Sequence, residues 1–163
     1  MKMPKPDGRP VFVDLDGVIF DFRKLAVKLV GHEFPEGSHY IWPAIQKVPR
    51  FFQDLELLPD AMELWEAMKP YNPQILTAIP RRDTMPFAEE DKRIAVAKHL
   101  GKDVVVKIGP HARDKQNHCT PGAILIDDNV INIAQWGLKG GIGIFHVNTK
   151  RTLEAFAKLY GAS

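Results

Sequence analysis

The sequence predicts an α/β protein built on a parallel sheet. Three observations carry that reading: short apolar runs that end in polar residues, helix-like segments alternating with them, and paired acids closing two of the runs. A strand buried on both faces is apolar throughout, and its functional groups collect where it emerges.

The first such run, Val11-Phe12-Val13, leads into Asp14-Leu15-Asp16-Gly17-Val18. It reads as a short interior strand ending at a glycine. From Asp21 to Gly31, Phe22, Leu25, Ala26 and Leu29 recur at helical spacing, with Gly31 as terminator. Residues His32 to Pro59 carry Pro35, Pro43 and Pro49 among five aromatics, a pattern that suits neither a long helix nor a regular strand. A small helical cap, about residues 21–59, is therefore expected as an insertion after the first strand.

Asp60 is placed to cap a helix running to about Lys69, where Pro70 stops it. The second strand is expected at Gln74–Thr77, followed by a helix from Pro86 to Gly101. In that helix Glu89-Glu90-Asp91 precede Lys92-Arg93, the order that the helix dipole favours. Strands at Val104–Ile108, Ala123–Ile126 and Ile142–Phe145 follow, and a last helix spans about Thr149–Tyr160. Gly140-Gly141 precedes a strand and so reads as a tight turn, not as a dinucleotide loop.

A chain of 163 residues with 45% hydrophobic content suits one domain, residues 1–163, with a modest insertion. The net charge of +2 gives no basis for a nucleic-acid or membrane surface. A lone Cys119 excludes an internal disulfide and a multi-cysteine zinc site, so a reducing cytoplasm is the expected compartment. No apolar run is long enough to span a bilayer, and the Met1-Lys2-Met3-Pro4 start lacks the apolar core of a signal peptide.

Two carboxylates as close as Asp14 and Asp16 repel each other near a core, and a compensating cation or a shared proton is expected between them. One reading is a magnesium-assisted nucleophile with a second carboxyl that moves protons; the other is a strand running into an acidic turn. Three more segments bear on the choice: Gln74-Ile75-Leu76-Thr77-Ala78, Arg113-Asp114-Lys115, and Ala123-Ile124-Leu125-Ile126-Asp127-Asp128. Aspartate, hydroxyl, lysine and aspartate in that order resemble the four motifs of haloacid dehalogenase-type phosphotransferases. With Arg50-Phe51-Phe52-Gln53-Asp54-Leu55-Glu56 and Leu58-Pro59 added, the chain from about Phe12 to Phe145 resembles the 5′(3′)-deoxyribonucleotidase family.

The resemblance implies a Rossmann-like parallel sheet of order 5-4-1-2-3 flanked by helices. It implies a magnesium-dependent phosphatase acting on (deoxy)nucleoside monophosphates through an aspartyl phosphate. Asp14 would be the nucleophile and Asp16 the general acid and base. Thr77 and Lys115 would bind phosphate, together with the backbone amide of Ala78, which stands where relatives often have serine. Mg2+ would be held by Asp14, the Asp16 carbonyl and Asp127, with Asp128 behind them. Phe20, Phe22, Trp42 and Phe51 are candidates to stack a base, or else form the cap's own core, and Arg113 either holds substrate or pairs with Asp114. A homodimer is the family's common assembly. Phosphatase action on sugar phosphates or nucleic-acid ends, and a non-enzymatic binding module, are the competing readings.

Overall fold

The computed structural model describes residues 1–160; residues 161–163 of the expected domain lie outside the described residues. Five strands form one parallel sheet: β1 (Val11–Val13), β2 (Gln74–Ala78), β3 (Val106–Gly109), β4 (Ile124–Asp127) and β5 (Ile142–Phe145). Their spatial order is β3-β2-β1-β4-β5, the expected arrangement. Val13 pairs with Ile75 on one side and Ile126 on the other, so Asp14, Thr77 and Asp127 emerge at the same carboxyl edge.

Between β1 and β2 the chain forms α1 (Phe22–Val30), α2 (Trp42–Ile45), 3-10 turns at His39–Ile41 and Phe51–Gln53, and α3 (Ala61–Met68). The Asp21 carboxylate accepts from the Lys24 amide at the start of α1, and Gly31, at φ 90°, ends it. The two ends of this insertion are tied together at the sheet. Leu58 N–H donates to the Ile19 carbonyl at 2.9 Å and Asp21 N–H to the Glu56 carbonyl at 2.8 Å. Helical pieces rather than one long helix form here because the prolines break each run.

The remaining helices are α4 (Ala88–His99), α5 (Val130–Leu138) and α6 (Thr149–Tyr160). Helix α5 was not assigned from the sequence, because its run Val130-Ile131-Asn132-Ile133-Ala134 has no clean apolar periodicity. Asn129 caps it by accepting from the Ile131 and Asn132 amides at 2.9 and 3.3 Å. Trp136 anchors it to the sheet, donating from Nε1 to the Ala123 carbonyl at 2.8 Å and meeting Phe12 edge-on. Gly141 is glycine because a Cβ there would collide with the Trp136 indole.

One expected cap is corrected. The Asp60 carboxylate makes no hydrogen bond at the start of α3; it accepts instead from the Thr149 amide at 2.8 Å, 89 residues away, while Thr149 Oγ1 donates to the Asp60 carbonyl. Asp60 therefore staples the start of α6 to the start of α3.

Candidate active site

At the carboxyl edge of the central strands, Lys115 and three aspartates meet. Lys115 stands in the 3-10 turn Ala112–His118, where a reciprocal cap holds the backbone: the Asp114 carboxylate accepts from the His111 amide at 3.0 Å. That uses Asp114 as a cap, and Arg113 is exposed on the outer side of the turn and does not line the cavity described below. Lys115 itself is only 3% exposed. Its Nζ lies 2.7 Å from Asp14 Oδ1 and 2.9 Å from Asp127 Oδ2.

Asp127 accepts from three donors, Lys115 among them. Its Oδ2 also accepts from Asn132 Nδ2 at 3.0 Å, and its Oδ1 from the Asn129 amide at 2.8 Å. Asp14 Oδ1 accepts from the Leu15 amide at 2.8 Å. Carboxylate oxygens of Asp14, Asp127 and Asp128 fall within 4.8 Å of one another. Gly17, at φ 83°, leaves the space that the Asp128 carboxylate fills; a Cβ there would collide with it.

Burial and charge together set the titration of this group. Burial pushes the Asp14 carboxyl well above its usual range, Lys115 opposes that, and the neighbouring aspartates add to the rise. Asp128 is pushed up to about 7, by burial first and by repulsion from Asp127 second. Burial works to lower the Lys115 ammonium, but Asp14 and Asp127 outweigh it and hold it above its ordinary value. One lysine against three carboxylates leaves negative charge to be balanced, and an all-oxygen cluster is the donor set that a hard divalent cation takes.

A second buried lysine completes the site, one that the sequence marks only through the order of acids and bases along its helix. Lys92, on α4, is 3% exposed. Its Nζ donates to Asp16 Oδ2 at 2.7 Å, to Thr77 Oγ1 at 3.1 Å and to the Ala78 carbonyl at 2.7 Å. The signal was present in the spacing: Ala88, Lys92, Ala95 and Val96 share one helical face and are all buried. A lysine in the middle of an apolar stripe has to find an anion. Asp16 Oδ1 has no hydrogen-bond partner among the described residues.

Next to Asp16 opens a cavity of about 690 Å³ between the inserted helices and the sheet edge. Phe22, Phe34 and Trp42 line it on the insertion side, with Val130, Ile131 and Phe145 opposite. Phe20 and Phe51 do not line it. Phe51 packs against Phe22 and Phe52 inside the insertion, and Phe20 meets the edge of the His99 ring. The short link after β1 turns Phe20 inward, and the insertion needs Phe51 as its own core.

No protein-family model and no curated protein matches the chain. Among solved structures it is similar to a hydrolase from Streptococcus pneumoniae TIGR4, with a TM-score of 0.53 and 15% identity over 90% of this chain and 97% of that one. It is also similar to a HAD hydrolase, family IA, variant 3, from Entamoeba histolytica HM-1:IMSS, with a TM-score of 0.48 and 14% identity over 85% of this chain and 84% of that one. The first likeness is one of fold over nearly the whole chain.

Proposed function

We propose that the protein is a haloacid dehalogenase-like phosphatase that hydrolyses (deoxy)nucleoside monophosphates. The observation that carries this reading is Lys115 bridging Asp14 and Asp127 at 2.7 and 2.9 Å, with Thr77 at the end of the adjacent strand. That arrangement sets a carboxylate beside an ammonium and a strand-end hydroxyl, which supports reading Asp14 as the nucleophile toward a phosphate. The shared fold with a solved hydrolase supports the same class.

In the first half-reaction Asp14 Oδ2 attacks phosphorus and the ester oxygen departs, leaving an aspartyl phosphate. Lys115 and Thr77 hold the phosphoryl oxygens as charge develops on them. Asp16 gives its proton to the departing oxygen and then takes one from the water that attacks the intermediate. The residues fit Mg2+, with Asp14, Asp127 and the Asp16 carbonyl as expected holders and Asp128 within reach. When bound, that ion would offset the phosphate's charge and orient it for in-line attack.

A nucleoside suits the cavity better than a small sugar. About 690 Å³, with Phe22, Phe34 and Trp42 set among charged and polar residues such as Arg23 and His39, exceeds what a bare sugar phosphate fills. The test is phosphate release from a panel of nucleoside and sugar monophosphates, with Mg2+ and with chelator. Turnover of deoxynucleoside monophosphates that vanishes on chelation is expected. Preference for sugar phosphates, or full activity in EDTA, would overturn the reading.

A further inference from the structure

The inserted helices do more than cover the cavity, because one piece of them seats on the helix that carries Lys92. The 3-10 turn Phe51–Gln53 and its neighbour Arg50 pack against α4. The Phe52 ring lies 4.5 Å from Lys92 Nζ. Arg50 reaches the same helix one residue earlier, with Nη2 at 2.9 Å from Asp91 Oδ1 and Nη1 at 2.8 Å from Glu90 Oε2, and its guanidinium covers the Phe87 ring at 4.6 Å. Asp91 is 1% exposed and neither of its oxygens has a partner with hydrogen-bond geometry among the described residues, so Arg50 is its visible compensation.

A lysine side chain has four rotatable bonds and normally keeps its ammonium in water. Here all three N–H donors are spent on Asp16, Thr77 and Ala78, and the remaining side faces an aromatic ring. The negative face of that ring replaces the water a desolvated cation would otherwise lose. Losing the ring, or the Arg50 tie that fixes α4 against it, leaves the ammonium free to take other rotamers. Asp16 would then lose the contact that orients it.

We propose that Phe52 and Arg50 are positioning residues for proton transfer: by seating on α4 they fix the Lys92 ammonium between Thr77, Ala78 and Asp16, so that the seating of the insertion sets the aim of the Asp16 carboxyl. This rests on the reading of Asp16 as the group that protonates the leaving oxygen. It assigns a catalytic consequence to two residues that touch neither the phosphate nor the nucleophile.

The experiment compares kcat/KM for a deoxynucleoside monophosphate and for p-nitrophenyl phosphate. Both report steps up to the departure of the leaving group, but only the alkyl ester needs a proton delivered to it. Phe52→Leu keeps the bulk and removes the ring. It is expected to lower kcat/KM for the nucleotide about tenfold, while changing the aryl ester less than about twofold. Phe52→Tyr, which keeps the ring, is expected to restore most of the loss. Arg50→Gln serves as a second variant at a more exposed position, with a loss of about threefold confined to the nucleotide. Asp16→Asn is run beside them. If Asp16→Asn is selective against the nucleotide but Phe52→Leu and Arg50→Gln slow both substrates equally or neither, the coupling is overturned and the role of Asp16 stands. If Asp16→Asn itself slows both equally, the role of Asp16 falls and the coupling with it.

Discussion

Asp14, Lys115 and Asp127 illustrate how much a single residue's setting decides. Lys115 is held by two carboxylates and is itself buried, so solvent screens its charge little where it acts on Asp14. Lys115→Met is expected to lower kcat by about 10²–10³, the usual cost of deleting an anion-stabilising donor, and steady-state kinetics against the parent checks it. Asp128 gives a prediction about stability. Its folded-state carboxyl sits near 7, above the unfolded value near 4, so the folded state binds the extra proton between those limits. Its ionisation therefore destabilises the fold progressively as pH rises from about 4 to 7. In chelator, Asp128→Asn is expected to melt higher than the parent at pH 8 and alongside it at pH 4, as thermal denaturation at the two pH values would report. The acids were legible in sequence because paired carboxylates after an apolar run are costly without a purpose. Lys92 was not, since its neighbours Glu89, Glu90 and Arg93 make the segment look like an ordinary solvated face.

Strands and most helices could be read element by element, because each apolar run is flanked by a glycine, a proline or a polar cluster. Helix α5 escaped, as its exposed Val130, Ile131 and Leu138 blur the amphipathic pattern that would have marked it. Capping was legible where it is local, as at Gly31, and illegible where it is not. Asp60 precedes α3, so the sequence points it at that helix; the fold brings Thr149 closer to its carboxylate. Asp60→Ala is expected to cost about 1 kcal/mol of unfolding free energy, as for other lost caps, with kcat/KM unchanged. Urea unfolding paired with an activity assay checks it. A loss of activity without a loss of stability would mean that the staple reaches the site.

At the scale of the whole molecule, the parallel order β3-β2-β1-β4-β5 is what turns separate motifs into one site. It sets β1 between β2 and β4, so residues far apart in sequence share the carboxyl edge, while the insertion after β1 closes over them. The positions of the aromatics inside that insertion were beyond reach of the sequence: Phe22 and Trp42 face the cavity, whereas Phe51 and Phe52 pack inward, and nothing in a run broken by prolines separates Trp42 from Phe51 and Phe52. The proposed reaction requires the phosphoryl group to pass through Asp14. Quenching the protein during turnover of a deoxynucleoside monophosphate, reducing any acyl phosphate with borohydride and mapping the product by mass spectrometry tests that directly. Reduction to an alcohol at position 14, absent without substrate, is the result predicted; turnover at the parent rate by Asp14→Asn, with position 14 never modified in the parent, would contradict it.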